Sequence, residues 1–400
     1  VPIGIAFGNG AGFPATYIIT GIVLLFFAVG FTAATPFIKS AGAFFSYIDK
    51  GLGRGAGIGA AFIALFSYIT LEAGVFGLLG PGVNTLLQAY NAPTAPWWVW
   101  ALVALVIATV FAYRQIEISG KVLAVLTAAE VLIVVALDIA VILKGGGPEG
   151  FSTAFAQPSQ ILSGAPGFGI LFAILSFIGF ETAAVFRDEV RDPERTIPRA
   201  TYIALIVIGL FYAWSAWALI SGNGQSNIVD IVSKNLGGIL SATTETYLGT
   251  IGSHVIQVLF VTSLFACILS LHNVVARYLF TLSKHEILPQ TLSVAHPKFH
   301  SPARSAVATS VVILALLVGA VALNLDPIAQ FYTWLGGISS VGVALLLLLT
   351  SLALIFFFRK DNHGLSAWKT TIAPAISFIG LAGFLYLILK NLPVLVAEGE

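Results

Sequence analysis

Apolar runs of about twenty residues, the length an α-helix needs to cross the hydrocarbon core of a bilayer, recur along most of this 400-residue chain. They fall at 13–35, 56–80, 97–113, 119–143, 167–186, 200–221, 248–283, 304–325, 328–358 and 370–392, which makes ten candidate spans. The runs lack the period-two alternation of a membrane barrel, and lipid tolerates no open sheet, so the expected class is an all-α integral membrane protein. Composition leads to the same place: 58% of residues are hydrophobic and 9% charged, against roughly a quarter charged in soluble domains. The connecting segments are too short for a separate enzyme, so 1–400 reads as one transmembrane domain.

Charge placement sets the expected orientation, because Lys and Arg concentrate in cytoplasmic loops. Alternate connectors hold 16 of the 19 Lys and Arg residues, and the opposite set holds only Lys144, Lys234 and Lys390. The formal charge is +1, and no basic cluster is dense enough to track phosphates, so nucleic acid is not an expected partner. A single cysteine, Cys267, leaves no internal disulfide. His285, His296 and His300 are too scattered for a metal site. No G-x-x-x-x-G-K-[ST] loop is present, so neither ATP nor any other cofactor is expected, beyond Na+ or H+ as a coupling ion.

The chain begins at Val1 and contains no Met. Its first twelve residues are apolar and glycine-rich, like the tail of a further helix, so a first helix is expected to be truncated here. Two connectors, 39–53 with Phe44, Tyr47 and Ile48, and 225–246 with Ile228, Ile231 and Val232, read as amphipathic surface helices. With a first helix restored they fall at matching places in two five-helix halves of opposite orientation. The expected organisation is therefore 1–143 as the remainder of one repeat, 166–358 as the second, and 366–400 as an additional helix.

The span at 167–186 is unusual, since Gly179 interrupts it and Glu181 follows two residues later in apolar surroundings. A break over Ser176, Phe177, Ile178, Gly179 and Phe180 would leave backbone N–H and C=O groups outside the helical ladder, able to bind the carboxylate and amine of a zwitterion. Glu181 would then hold the local structure or take up a proton. The alternative is that Gly179 only admits a neighbouring helix and Glu181 bonds to a backbone group.

Phe180, Glu181, Glu189, Pro193, Ile197, Pro198 and Arg199 match a G-F-E followed by E-x-x-x-P-x-x-x-I-P-R pattern. On these residues the chain resembles the amino acid, polyamine and organocation transporter superfamily. Ala41, Gly42, Ala43, Phe44 and Tyr47 with the glycines of 51–57, the stretch HNVVARYLFTLSKHEILP at 272–289, and the W-L-x-G helix from Trp334 are similar to further motifs of that superfamily. The resemblance implies a five-plus-five inverted-repeat fold, discontinuous first and sixth helices, and a substrate held on their broken backbones. It implies that residues 176–180 form the sixth-helix part of the binding site and that Glu181 is the family's glutamate.

Relatives often carry a lysine in the fifth helix in place of a sodium ion, and the resemblance puts Glu130 there, with Cys267 and Ser270 as facing groups and a coupling role for all three. Glu72, beside Tyr68, is a further intramembrane carboxylate: it is suited to recognising a cationic amine, or to pairing with a Ser, Tyr or His on a neighbouring helix. Asp138 and His254 are expected near water. The expected function is secondary active transport of amino acids by alternating access, with H+ or Na+ coupling or exchange, in the plasma membrane. A polyamine or organic-cation carrier of the same fold is the alternative, and an ion channel or membrane-embedded enzyme a remoter one.

Overall fold

The computed structural model describes residues 1–38, 43–115, 120–181 and 192–397. Its regular structure is helical, in chain order α1 (Phe13–Ala34), α2 (Ala43–Leu52), α3 (Arg54–Ala89), α4 (Trp97–Arg114), α5 (Gly120–Leu143) and α6 (Pro166–Phe177). There follow α7 (Pro193–Asn223), α8 (Ile228–Lys234), α9 (Ile239–Lys284), α10 (Ala303–Ala322), α11 (Thr333–Lys360) and α12 (Ala373–Ala397). Among the described residues, nine helical stretches are long and apolar enough to cross a membrane. They answer to nine of the ten expected spans. The tenth, 167–186, differs: α6 stops after 12 residues, at Phe177.

Irregularity sits where the residues permit it. Pro166 begins α6, at a position where a missing N–H leaves no bond unmade. Asp326 caps the helical turn leading into α11 by accepting from the amides of Ile328 at 2.9 Å and Ala329 at 2.6 Å. Pro81 and Pro198 lie inside α3 and α7, and α9 is interrupted at Gly249, whose φ of 75° suits a residue without Cβ. Both connectors contain a helix, α2 in the first and α8 in the second. Residues 39–42 of the first connector, and 182–191 of the charged turn with Glu189, lie outside the described residues.

The chain divides into two compact units. The first comprises Val1–Ser67, Ser152–Ile220 and Gly337–Glu398, the second Tyr68–Phe151 and Ser221–Gly336. In the first unit α12 packs against α1 and α6. Small residues permit this close approach, as membrane helices require where no hydrophobic effect drives them together. A Cβ on Gly30 would lie 2.6 Å from Pro374, and one on Gly167 would meet the carbonyl of Leu387. The Gly167 amide instead donates to Asn391 Oδ1 at 3.0 Å. Helix α2 buries Phe44, Tyr47 and Ile48, and the Tyr47 ring stacks on Phe31 at 4.5 Å.

In the second unit α9 runs against α4, α5 and α10, with Ala112, Ala276 and Ala306 at a small-residue seam. Away from the helix contacts of either unit the helices present bare aliphatic side chains: Val125 and Leu132 in the second unit and Ile203 and Ile379 in the first are each 61–70% exposed. Such faces would be an aggregation liability in water and belong against acyl chains.

Gly167→Val pushes two methyl groups into the α6–α12 contact and is expected to destabilise the fold by about 1–3 kcal/mol. The check is the melting temperature of the detergent-solubilised protein; melting at the wild-type temperature would contradict the close approach.

Candidate functional site

Helix α6 ends because its backbone turns out of the α region: Ile178 has φ −56° and ψ 131°, and Gly179 has φ 113°. Only glycine reaches the latter without strain. The Ile178 amide reaches Leu175 O at 3.3 Å, and the Phe180 amide reaches Phe177 O, also at 3.3 Å. The Gly179 amide leaves the ladder and donates to Glu181 Oε2 at 2.9 Å. Glu181 is 1% exposed, so its carboxylate holds the break from within the protein. The C-terminal end of α6 carries the negative pole of the helix dipole, a fitting counterpart for an ammonium group.

Neighbouring side chains fix this turn. Ser176 Oγ bonds to Phe172 O at 3.0 Å and lies 3.1 Å from the Tyr17 hydroxyl. The Tyr17 ring stacks on Tyr212 at 5.4 Å and 17°. Phe180 meets Phe27 edge-on at 5.9 Å.

A second break in the same unit was not anticipated between Pro2 and Gly12. There the backbone leaves helical angles at Gly8 (φ −98°, ψ −122°) and again at Gly10 (φ 54°, ψ −127°). Gly8 packs so tightly on α6 that a Cβ would lie 2.9 Å from Gly169 Cα, and its carbonyl accepts from Ala165 N at 3.0 Å. Asn9 is fully buried and donates to Thr16 Oγ1 and Ile161 O at 2.9 and 3.0 Å.

The remaining expected site residues fall in the second unit. Glu72 and His272 are both wholly buried, with Glu72 Oε1 2.6 Å from His272 Nδ1. His272 Nε2 lies 3.3 Å from Ser310 Oγ, which is 2.7 Å from Thr109 Oγ1. The sequence admitted a histidine partner for Glu72 without naming which; the sign was an imidazole deep in the 248–283 run with no charged neighbour on its own helix turn. Tyr68 is buried, its ring 5.6 Å from Tyr278.

Glu130 Oε2 accepts from Ser263 Oγ at 3.0 Å. Ser263 thus stands where Cys267 and Ser270, farther along α9, were expected, and both of those are exposed. Asp138, expected near water, is instead buried, 2% exposed. His254 is half-buried, its ring 4.8 Å from Tyr90.

The model of a family described as amino acid permeases matches residues 1–396. The chain belongs to that family. Its relatives include the low-affinity putrescine importer PlaP of Escherichia coli K12, 21% identical over 80% of this chain and 73% of PlaP. The branched-chain amino acid permease BcaP of Lactococcus lactis is 21% identical over 94% of this chain and 81% of its own. The serine/threonine exchanger SteT of Bacillus subtilis is 22% identical over 88% and 76%. Among solved structures, MhsT in complex with L-phenylalanine superposes with a TM-score of 0.61 at 15% identity, covering 98% of this chain and 94% of MhsT. This permease-family chain is therefore a multi-pass membrane protein of a transporter family, with the five-plus-five inverted-repeat fold expected from its sequence.

Gly179→Ala meets no steric clash, since nothing lies within 4 Å of the added Cβ, but it places an L-residue at a forbidden φ. The substitution is expected to lower stability by about 1–3 kcal/mol, read as a lower melting temperature. Wild-type melting would show that the turn does not depend on glycine.

Proposed function

We propose that this chain is a secondary active transporter that carries amino acids across the plasma membrane by alternating access, driven by H+ or Na+ or by exchange. The observation that carries the proposal is the end of α6, where the Gly179 amide is drawn off the helical ladder onto Glu181 inside an apolar span. Backbone that leaves the ladder at membrane depth is tolerated where it lines a cavity, and half-helix ends suit the paired charges of a zwitterion. We assign Ser176, Phe177, Ile178, Gly179 and Phe180 to substrate binding, and Glu181 to holding that turn open. Repeat boundaries at 1–143 and 166–358, with 366–400 as an extra helix, belong to the same proposal. So does an orientation with the Lys- and Arg-rich loops in the cytoplasm.

For the second unit we assign cation handling. Glu130, bonded to Ser263, offers a carboxylate where a proton or Na+ is chemically at home, with the exposed Cys267 and Ser270 on the same helix as Ser263. A polyamine or organic-cation carrier is the second reading, favoured by the similarity to a putrescine importer and by the buried carboxylates Glu72 and Glu181.

One assay separates the two: uptake of labelled amino acids and of putrescine by proteoliposomes under imposed pH and Na+ gradients. Amino-acid uptake that a gradient accelerates, and that Glu130→Gln lowers at least about tenfold, is the expected result. Putrescine uptake alone would favour the second reading, and absence of any gradient-dependent flux would contradict both.

A further inference from the structure

Glu72 and His272 come from positions 200 residues apart, are both wholly buried, and approach to 2.6 Å. Among the described residues Glu72 Oε2 has no hydrogen-bond partner, and the imidazole is the one side chain among them that bonds to this carboxylate. An ionised carboxylate at such a place is costly unless it is paired or neutralised. Structural pairing alone does not account for what lies on the far side of the ring. His272 Nε2 faces Ser310 Oγ at 3.3 Å, Ser310 faces Thr109 Oγ1 at 2.7 Å, and Thr109 ends the chain half-buried.

We propose that Glu72 and His272 bind one exchangeable proton, and that the Ser310 and Thr109 hydroxyls relay it by reversing their direction. With the proton present the pair is neutral overall: Nδ1 and Glu72 Oε1 share one hydrogen, and Nε2–H donates to Ser310. Ser310 then donates to Thr109, and Thr109 to Leu105 O, 2.6 Å away. On release, the Nε2 hydrogen passes to Ser310 Oγ, the Ser310 hydrogen passes to Thr109 Oγ1, and the original Thr109 hydrogen departs. The pair is left as a carboxylate accepting from Nδ1–H, with net charge −1. Ser310 now donates to Nε2, and Thr109 to Ser310. Hydroxyls are both donors and acceptors, so the His272–Ser310 and Ser310–Thr109 contacts serve both states, while the Thr109 donation to Leu105 O belongs to the first alone.

The surrounding ionisable groups leave the pair as the central site. Cys267, Arg277 and Tyr278 share α9 with His272, and Tyr68 shares α3 with Glu72. On α5 lie Glu130, bonded to Ser263, and the buried Asp138. Helices α4 and α10 carry ionisable side chains only near their ends, at Tyr113, Arg114 and Arg304.

As the place where a coupling proton is held, the pair rests on the proposed transport function; that it binds a proton does not. The test therefore reads protonation in the full chain in lipid nanodiscs without substrate, so a chain that carried nothing would still give an answer. In a pH titration followed by infrared difference spectroscopy, wild type is expected to show a carboxylate stretching band that shifts as the adjacent imidazole gains and loses its Nε2 hydrogen, and that Glu72→Gln removes. Ser310→Ala is expected to move its midpoint by about one pH unit, a tenfold change in proton affinity. In the unmutated protein, 15N resonances of His272 are expected to show Nε2 gaining and losing its hydrogen while Nδ1 keeps one. A band unaltered in Glu72→Gln, or a His272 Nε2 fixed in one state across the pH range of the folded protein, would overturn the proposal.

Discussion

Inside a bilayer a backbone N–H has no water to turn to, so an amide that leaves its helix must find a partner within the protein. That obligation governs the first unit. Phe177 ends α6, Gly179 supplies a backbone angle other residues avoid, and the Gly179 amide is received by Glu181, which is itself sealed from solvent. An apolar residue in place of Glu181 would strand that amide, and a bulkier one in place of Gly179 would not take the turn. The N-terminal segment answers the same obligation differently: Gly8 lies on Gly169, and the Gly8 carbonyl accepts from Ala165. Two breaks in one compact unit are thus each tied to α6 or to the segment leading into it.

The second unit obeys the corresponding rule for charge. A carboxylate in an apolar span has to be paired, neutralised or used. Glu72 meets His272, and Glu130 meets Ser263, each pairing reaching α9. Helix α9 packs against α4, α5 and α10, which makes it the element through which any change of protonation would be felt most widely. The Ser310 and Thr109 hydroxyls bridge α10 and α4 behind the imidazole. Each also lies within bonding distance of a carbonyl of its own helix, at 2.9 and 2.6 Å, an alternative acceptor for its one hydrogen.

The helices were legible because a run of twenty apolar residues has few alternatives, and the break was legible because Gly179 and Glu181 conflict with the rest of their span. The motifs about Phe180, Trp334 and His272 led to the family that the whole-chain comparison then showed. Partners far apart in sequence were not legible. The apolar surroundings of His272 mark it as needing a partner but do not name Glu72, and nothing local marks Ser263 rather than Cys267 as the group bonded to Glu130, since hydropathy reports depth in the membrane but not the rotation of one helix against the next. Asp138 illustrates the same limit: its distance along α5 suggested water, while the folded chain buries it. The break at Gly8 and Gly10 was hidden because a short glycine-rich stretch reads equally as helix tail or as turn.

The most direct measurement of the central claim is the distance between a bound amino acid and the end of α6. Solid-state NMR can supply it, using a substrate labelled with 15N on its amine and protein labelled with 13C on the carbonyls of Ser176 and Phe177. We expect dipolar coupling corresponding to hydrogen-bond contact with at least one of these carbonyls. Saturating binding with no such coupling would mean that the open end of α6 is not where the substrate is held.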